Sequence, residues 1–209
     1  MKSLIFDIDG TLWDCRAVVA EGYNAQLKDE GYDHLCVDAE TLKHQFGKTM
    51  DAIADALFQE IQPPERYALL ERCIEREDKH LAETQCDMGY AGVKQTLEGL
   101  HESYRLFIVS NGQAGYPQLC MEKLGIGHLI EDHLCFGDTG TEKGETILTL
   151  MRRNNITDAV YIGDTQGDYE ATLVAGIPFI FCAYGFGDPK GYAAKLEDIR
   201  QLPQLLQTL

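Results

Sequence analysis

Positive charge is what this 209-residue chain has least of: 18 lysines and arginines stand against 34 aspartates and glutamates, a formal net charge of −16. A surface that negative repels polyanions, and no basic cluster interrupts it. The sequence therefore predicts no nucleic-acid partner and no membrane partner. Any anionic ligand then has to be held by a local device: a metal ion, a lysine or backbone amides. Paired cysteines are missing too. Cys15, Cys36, Cys73, Cys86, Cys120, Cys135 and Cys182 are odd in number, scattered and without a C-x-x-C pair. That excludes a disulfide framework and a structural zinc site, and predicts reduced core thiols in a cytoplasmic protein. Long apolar runs are also absent. Leu4, Ile5 and Phe6 alone form too short an apolar region for a signal peptide. The stretch from Val174 to Phe186 is broken by Pro178 and two glycines and is too short to span a bilayer. The six histidines show no metal-like clustering.

What is present has the composition of an ordinary globular protein, 44% hydrophobic and 9% aromatic, and is long enough for one sizeable core or a core with an appendage. Apolar runs suited to buried strands recur at Leu4–Asp7, Leu106–Ser110, His133–Phe136, Ala159–Gly163 and Pro178–Ala183. Helical patterns lie among them at Val93–Leu100, Pro117–Leu124, Glu145–Arg153 and Asp168–Val174. Strand and helix alternating in this way predict an α/β fold, a doubly wound parallel sheet with crossover helices. Residues 14–85 break the alternation. They carry four helical stretches, Val18–Asp29, Ala39–Phe46, Asp51–Ile61 and Glu65–Ala82, with Asp38 and Pro63-Pro64 as start signals and Gly31 and Gly47 as stops. The expected organisation is an α/β core of residues 1–13 and 86–209 with an inserted helical cap of residues 14–85.

Four polar pieces fall at or just beyond expected strand ends. The first is Asp7-Ile8-Asp9-Gly10-Thr11, two acids on a segment where i and i+2 face the same way roughly 6–7 Å apart. Side by side at the carboxyl edge of a sheet, where open α/β folds bind ligands, they call for a cation. The second is Ser110-Asn111-Gly112, a hydroxyl and an amide before a glycine. The third is Lys143 at the start of a helix. The fourth, Asp164-Thr165-Gln166-Gly167-Asp168, puts two more acids four residues apart. Each piece alone is common: Ser-Asn-Gly is often a turn, a lone lysine a solvated charge, and Asp168 an N-cap. Together, on one sheet edge, they suit phosphoryl transfer. A phosphate monoester dianion reaches a carboxylate nucleophile only when its charge is neutralised. Magnesium does this with one or two carboxylates, waters and a phosphate oxygen. Asp7 and Asp164 supply the carboxylates, Asp168 holds a metal-bound water or orients Lys143, and Lys143 and Ser110 grip the phosphoryl oxygens.

This ordered set resembles the haloacid dehalogenase-like hydrolase superfamily. The resemblance spans nearly the whole chain: Asp7 to Asp14 (DIDGTLWD), Gly92-Val93 through Ile108-Val109-Ser110-Asn111, and Gly163-Asp164 through Ala175-Gly176-Ile177-Pro178. The helical block looks like the family's type 1 cap, as in the phosphoglycolate phosphatase and β-phosphoglucomutase branch. The resemblance implies a Rossmann-like core and Asp7 as the nucleophile that forms an aspartyl-phosphate. It implies Asp9 as the acid that protonates the leaving alcohol and then the base toward water. It also implies Mg2+ held by Asp7, the Asp9 main-chain carbonyl and Asp164 with Asp168 behind, and phosphate held by Ser110, Asn111 and Lys143, with Thr11 supporting the loop. Family members that cleave carbon–halogen bonds lack an acid at the Asp9 position, because halide leaves without a proton. Asp9 thus favours phosphate-ester chemistry. Ala91 and Gln166 stand where the family often has proline, and neither supplies a catalytic atom.

Gly47-Lys48-Thr49 is not a P-loop, since Leu42 and Lys43 stand where the first glycine is sought and no strand precedes it. Lys48, and with weaker claims Tyr23, Asn24 and His44, are candidate specificity residues of the cap; a solvated lysine is the simpler account of Lys48. Trp13 either narrows the substrate site or packs the linker. The expected function is a Mg-dependent phosphatase, as monomer or homodimer, acting on a small phosphorylated metabolite such as phosphoglycolate, a sugar phosphate or a nucleotide. A β-phosphoglucomutase-type mutase is the alternative. A non-catalytic phospho-acceptor or binding module is the reading from a different class.

Overall fold

The computed structural model describes residues 2–208. Six parallel strands form one sheet in the order β3-β2-β1-β4-β5-β6: β1 Ser3–Phe6, β2 Arg105–Ser110, β3 Ile130–Cys135, β4 Ala159–Gly163, β5 Phe179–Cys182 and β6 Ala194–Leu196. Among the described residues, ten α-helices accompany them: α1 Arg16–Asp29, α2 Ala39–Lys43, α3 Met50–Leu57, α4 Glu65–Glu83, α5 Val93–His101, α6 Tyr116–Leu124, α7 Phe136–Thr139, α8 Lys143–Arg153, α9 Gln166–Ala175 and α10 Leu202–Leu206. No helix among the described residues is long and apolar enough to cross a membrane.

The strands are continuous apolar runs because both faces of a parallel sheet are covered. Ile5, Phe107, Val109, Tyr161, Phe179 and Phe181 pack with Ile147 and Leu150 of α8 on one face. Their neighbours along the strands, Leu4, Phe6, Leu106, Ile108, Val160 and Ile162, are fully buried as well. Burying each such side chain stabilises the fold by roughly 1.5–3 kcal/mol. β1 is the pivot. Phe6 pairs with Ile108 on one side and Ile162 on the other, and the chain runs outward through β2 and β3 before returning to β4. The sheet order therefore reverses at the carboxyl ends of β1 and β4, the topological switch point at which open α/β sheets hold ligands.

The chain divides into two compact units: residues up to Asp14 together with those from Asp87 onward, and Cys15–Cys86. The division falls one residue beyond each expected boundary. Within the helical unit α1 packs on α4, with Leu69, Leu70, Cys73 and Leu81 buried along α4. Arg72 of α4 ties Glu30 and Glu65 at 2.6 Å each. Asp38 caps α2 by accepting from Thr41 N–H at 2.7 Å, as the sequence predicts. α2 ends at Lys43, short of the expected Phe46, so Gly47 stops no helix, and α3 ends at Leu57 rather than Ile61. Three residues make β6 too brief for a periodicity to register, and the sequence does not announce it. β3 begins three residues earlier than expected. Its Ile130-Glu131-Asp132 start is polar because the strand lies at the sheet edge, where Glu131 and Asp132 pair with arginines.

Candidate active site

β1 ends at Phe6, but the ladder runs one residue further: Asp7 N–H donates to Ile162 C=O at 2.8 Å. That bond fixes the Asp7 backbone at the switch point, and its side chain is buried, 4% exposed. The loop then turns through Gly10, whose φ of +78° lies in the left-handed region; a Cβ there would stand 2.2 Å from Asp164 Oδ2. Glycine is required because the loop passes directly over another acid.

Lys143, the first residue of α8, reaches back under this loop. Its Nζ donates to Asp7 Oδ1 at 2.9 Å and Asp168 Oδ1 at 2.6 Å and lies 5.9 Å from the centre of the Tyr161 ring. Asp168 is held by a capping box at the start of α9. Thr165 Oγ1 accepts from Asp168 N–H at 3.1 Å, while Asp168 Oδ2 accepts from the Thr165 N–H at 2.9 Å and hydroxyl at 2.7 Å. Asp168 is thus the third residue of the helix, and Thr165 is the N-cap. Asp164 is fully buried; its Oδ2 accepts from Phe186 N–H at 2.6 Å, and its Oδ1 has no hydrogen-bond partner.

One oxygen from each of Asp7, Asp164 and Asp168 falls within a 4.8 Å cluster. Three buried carboxylates against one ammonium leave excess negative charge. Burial, then Asp168, pushes the Asp7 carboxyl up to about 7 against the pull of Lys143. Burial, with Asp168 and Asp7, raises Asp164 well above the carboxylate range. Burial opposes ionisation of Asp168 too, but Lys143 and Thr165 outweigh it and hold that carboxyl below its ordinary value. Lys143 resists its own burial through Asp168 and Asp7 and stays firmly charged. An acceptor left unpaired in the interior costs about 1–3 kcal/mol. The orphaned Asp164 Oδ1, set among all-oxygen donors, fits a hard divalent cation.

The Asp9 carboxylate is not part of that cluster. Its Oδ1 accepts from Trp13 Nε1 at 2.9 Å and the Tyr116 hydroxyl at 2.6 Å, and its charge adds to those that raise the Asp7 carboxyl. Ser110 closes β2 beside β1, buried, its Oγ accepting from Gly112 N–H at 3.1 Å, and half-buried Asn111 follows. Thr11 is fully buried and its carbonyl accepts from the Tyr184 hydroxyl at 2.9 Å, which ties the loop down.

Trp13 is fully buried, which places it in packing and against Asp9. Within the helical unit, Lys48 Nζ donates to Gln45 Oε1 at 3.1 Å. Asn24 spends its amide on the Val37 backbone, with 2.8 Å bonds in both directions. Tyr23 is buried there too: burial, then Glu77, raises its hydroxyl well above its ordinary value. Asn24 and Tyr23 thus hold the helices together. Thr165, Phe186 and Tyr116 support the acids and escape sequence reasoning, whereas Trp13 was singled out for the substrate site or the linker and not as a partner of Asp9. Trp13 is four residues from Asp9, but Tyr116 is 107 away, and nothing in the pattern connects them.

The model of the haloacid dehalogenase-like hydrolase family matches residues 4–182. The chain is 28% identical to the phosphoglycolate phosphatase of Aliivibrio fischeri over 90% of its length and 88% of that protein's. It is 29% identical to the phosphoglycolate phosphatase of Chromobacterium violaceum over 94% and 91%. Among solved structures, a predicted phosphoglycolate phosphatase from Haemophilus somnus superposes with a TM-score of 0.86 at 20% identity, covering 99% of this chain and 98% of that one. A haloacid dehalogenase-like hydrolase from Streptococcus pneumoniae gives 0.85 at 19%, covering 99% of both.

Proposed function

The chain belongs to the haloacid dehalogenase-like hydrolases and is a phosphatase of that family, and we propose that it hydrolyses a small phosphorylated acid of the phosphoglycolate type through a phosphoryl-Asp7 intermediate, with Mg2+ as cofactor. The buried triad of Asp7, Asp164 and Asp168 around one lysine is the observation that carries this reading.

The metal's holders are the carboxylates of Asp7 and Asp164 and the Asp9 main-chain carbonyl, with Asp168 behind them; when bound, the ion neutralises phosphoryl oxygens so that an anion meets an anion. Lys143 aligns Asp7 through Oδ1, which leaves Oδ2 as the attacking atom, and puts its charge where the phosphoryl oxygens develop theirs. Ser110 and the Asn111 backbone grip the remaining oxygens. Attack by Asp7 Oδ2 breaks the phosphorus–oxygen bond to the alcohol, and Asp9 gives that oxygen its proton. Asp9, now a carboxylate, takes a proton from the water that attacks phosphorus and releases Asp7. Two-step chemistry of this kind needs one ionised carboxyl and one that exchanges a proton; Lys143 pulls Asp7 toward the ionised form against the burial that raises it to about 7, and Asp9 stands two residues away.

Phosphate release from a panel of phosphoglycolate, sugar phosphates and nucleotides, with Mg2+ and with EDTA, tests the reading. The expected outcome is metal-dependent release, fastest on a short phosphorylated acid, and loss of at least about a thousandfold in Asp7→Asn. Transfer between sugar positions without net phosphate release would contradict it.

A further inference from the structure

Past β5 the chain runs back over the switch point, and from Tyr184 to Gly187 it lies against two of the acid-bearing loops. The Tyr184 hydroxyl donates to Thr11 C=O at 2.9 Å, in the loop that follows Asp7. Phe186 N–H donates to Asp164 Oδ2 at 2.6 Å. Both ends of the segment are fastened. Gly185 N–H closes a turn on Cys182 C=O at 3.1 Å, and Lys190 N–H donates to Gln166 Oε1 of α9 at 2.8 Å.

Two glycines permit this approach. A Cβ on Gly185 would stand 2.4 Å from both Asp164 Cβ and the Gly10 carbonyl oxygen, and one on Gly187 would stand 2.5 Å from the Asp164 carbonyl oxygen. Neither glycine adopts a positive φ, so each supplies space and not a special backbone conformation. Any side chain at Gly185 would push the segment off Asp164.

The two Asp164 oxygens are therefore treated unequally. Oδ2 is closed in by the Phe186 N–H and by two glycines: a Cβ on Gly10 would stand 2.2 Å from it and one on Gly185 2.5 Å. Oδ1 is the buried oxygen left without a hydrogen-bond partner. A freely rotating carboxylate would offer either atom or both. This one is held by a short, charge-assisted bond to the main chain.

We propose that Gly185, Phe186 and Gly187 form a positioning segment that holds Asp164 Oδ2 through the Phe186 N–H, so that Oδ1 alone is presented to a divalent cation. This rests on the reading of the site as that of a Mg2+-dependent phosphatase. The donor is a backbone group, which is why no side-chain motif marks it. Through Tyr184 the same stretch also ties down the loop after Asp7, so two ligand-bearing loops share one support. Removing a support behind a metal ligand weakens metal binding by roughly 10–100-fold.

Magnesium binding to the substrate-free protein, measured by calorimetry, tests the role. Phe186→Pro deletes the N–H, and Gly185→Ala drives the segment off the acid. Each is expected to raise the Kd for Mg2+ about tenfold or more. Urea unfolding in EDTA separates this from a merely structural contribution, which would lower stability in chelator and leave the Kd as it was. The wild-type protein gives a second reading that needs no variant to fold. Its Phe186 amide proton, bonded to a carboxylate, is expected at low field in EDTA and to stay there when Mg2+ saturates, because the ion takes Oδ1. A Kd within about twofold of wild type in both folded variants, or an upfield move of that amide on saturation, would overturn the positioning role while the phosphatase reading stands. Wild-type protein that binds no Mg2+ and releases no phosphate in its presence overturns that reading, and this role with it.

Discussion

Lys143 carries more of the site than any other single side chain. It pairs with two buried carboxylates at once, Asp7 just beyond β1 and Asp168 on α9, and its own side chain is 6% exposed. Such a pair is costly to bury and costlier to break, since removal of one partner leaves uncompensated charge in the interior. Lys143→Met is therefore expected to lose about 3 kcal/mol of stability in EDTA, read by urea unfolding, and to lower kcat about a hundredfold. Stability unchanged in chelator would mean that the lysine faces solvent and not the acids. At this scale the sequence is informative about which residues matter and weaker about how they meet. Asp7, Ser110, Lys143, Asp164 and Asp168 all stand out because chemistry-bearing types follow apolar runs. The partners of Asp9 do not. A phenol on α6 and an indole after a glycine turn carry no spacing that names their acceptor.

Elements were legible where packing is two-sided. The apolar runs of β1, β2, β4 and β5 follow from helices covering both faces of the sheet, and Ala159–Gly163 falls on its expected residues. Elements were obscure where the sheet meets solvent. β6 is only three residues, and the start of β3 is polar because ion pairs replace burial there. Asp132 shows how. It accepts from Arg153 Nε at 2.7 Å and Asn154 Nδ2 at 2.6 Å, and also meets Arg153 Nη2, so that β3 is stapled to the end of α8. Burial opposes ionisation of Asp132, but Arg153, Asn154 and the His133 amide outweigh it and hold the carboxyl below its ordinary value. A depressed acid favours folding above its unfolded pKa, and that contribution fades as the pH falls through the folded value. Asp132→Asn should thus be less stable than wild type by about 1 kcal/mol at pH 7, with the gap closing toward acid, below about pH 3. A gap independent of pH would assign the effect to packing.

On the scale of the whole molecule, a protein with net charge −16 needs a local cation to hold an anion, and the switch point of the sheet offers Lys143 and an acid cluster suited to a divalent ion. Residues 15–86 lack any strand, so an all-helical segment interrupts an otherwise regular alternation. What the helical unit recognises was not readable, since its candidate residues Asn24 and Tyr23 turn out to be occupied within it. The account's central claim is that Asp7 itself takes the phosphoryl group, and trapping it is the direct measurement. Enzyme quenched in acid during turnover of phosphoglycolate with Mg2+, reduced with borohydride and digested, should yield the peptide around residue 7 with homoserine in place of aspartate. An unmodified Asp7 in enzyme caught while releasing phosphate would contradict the claim, because phosphorus would then have passed to water without ever bonding to the protein.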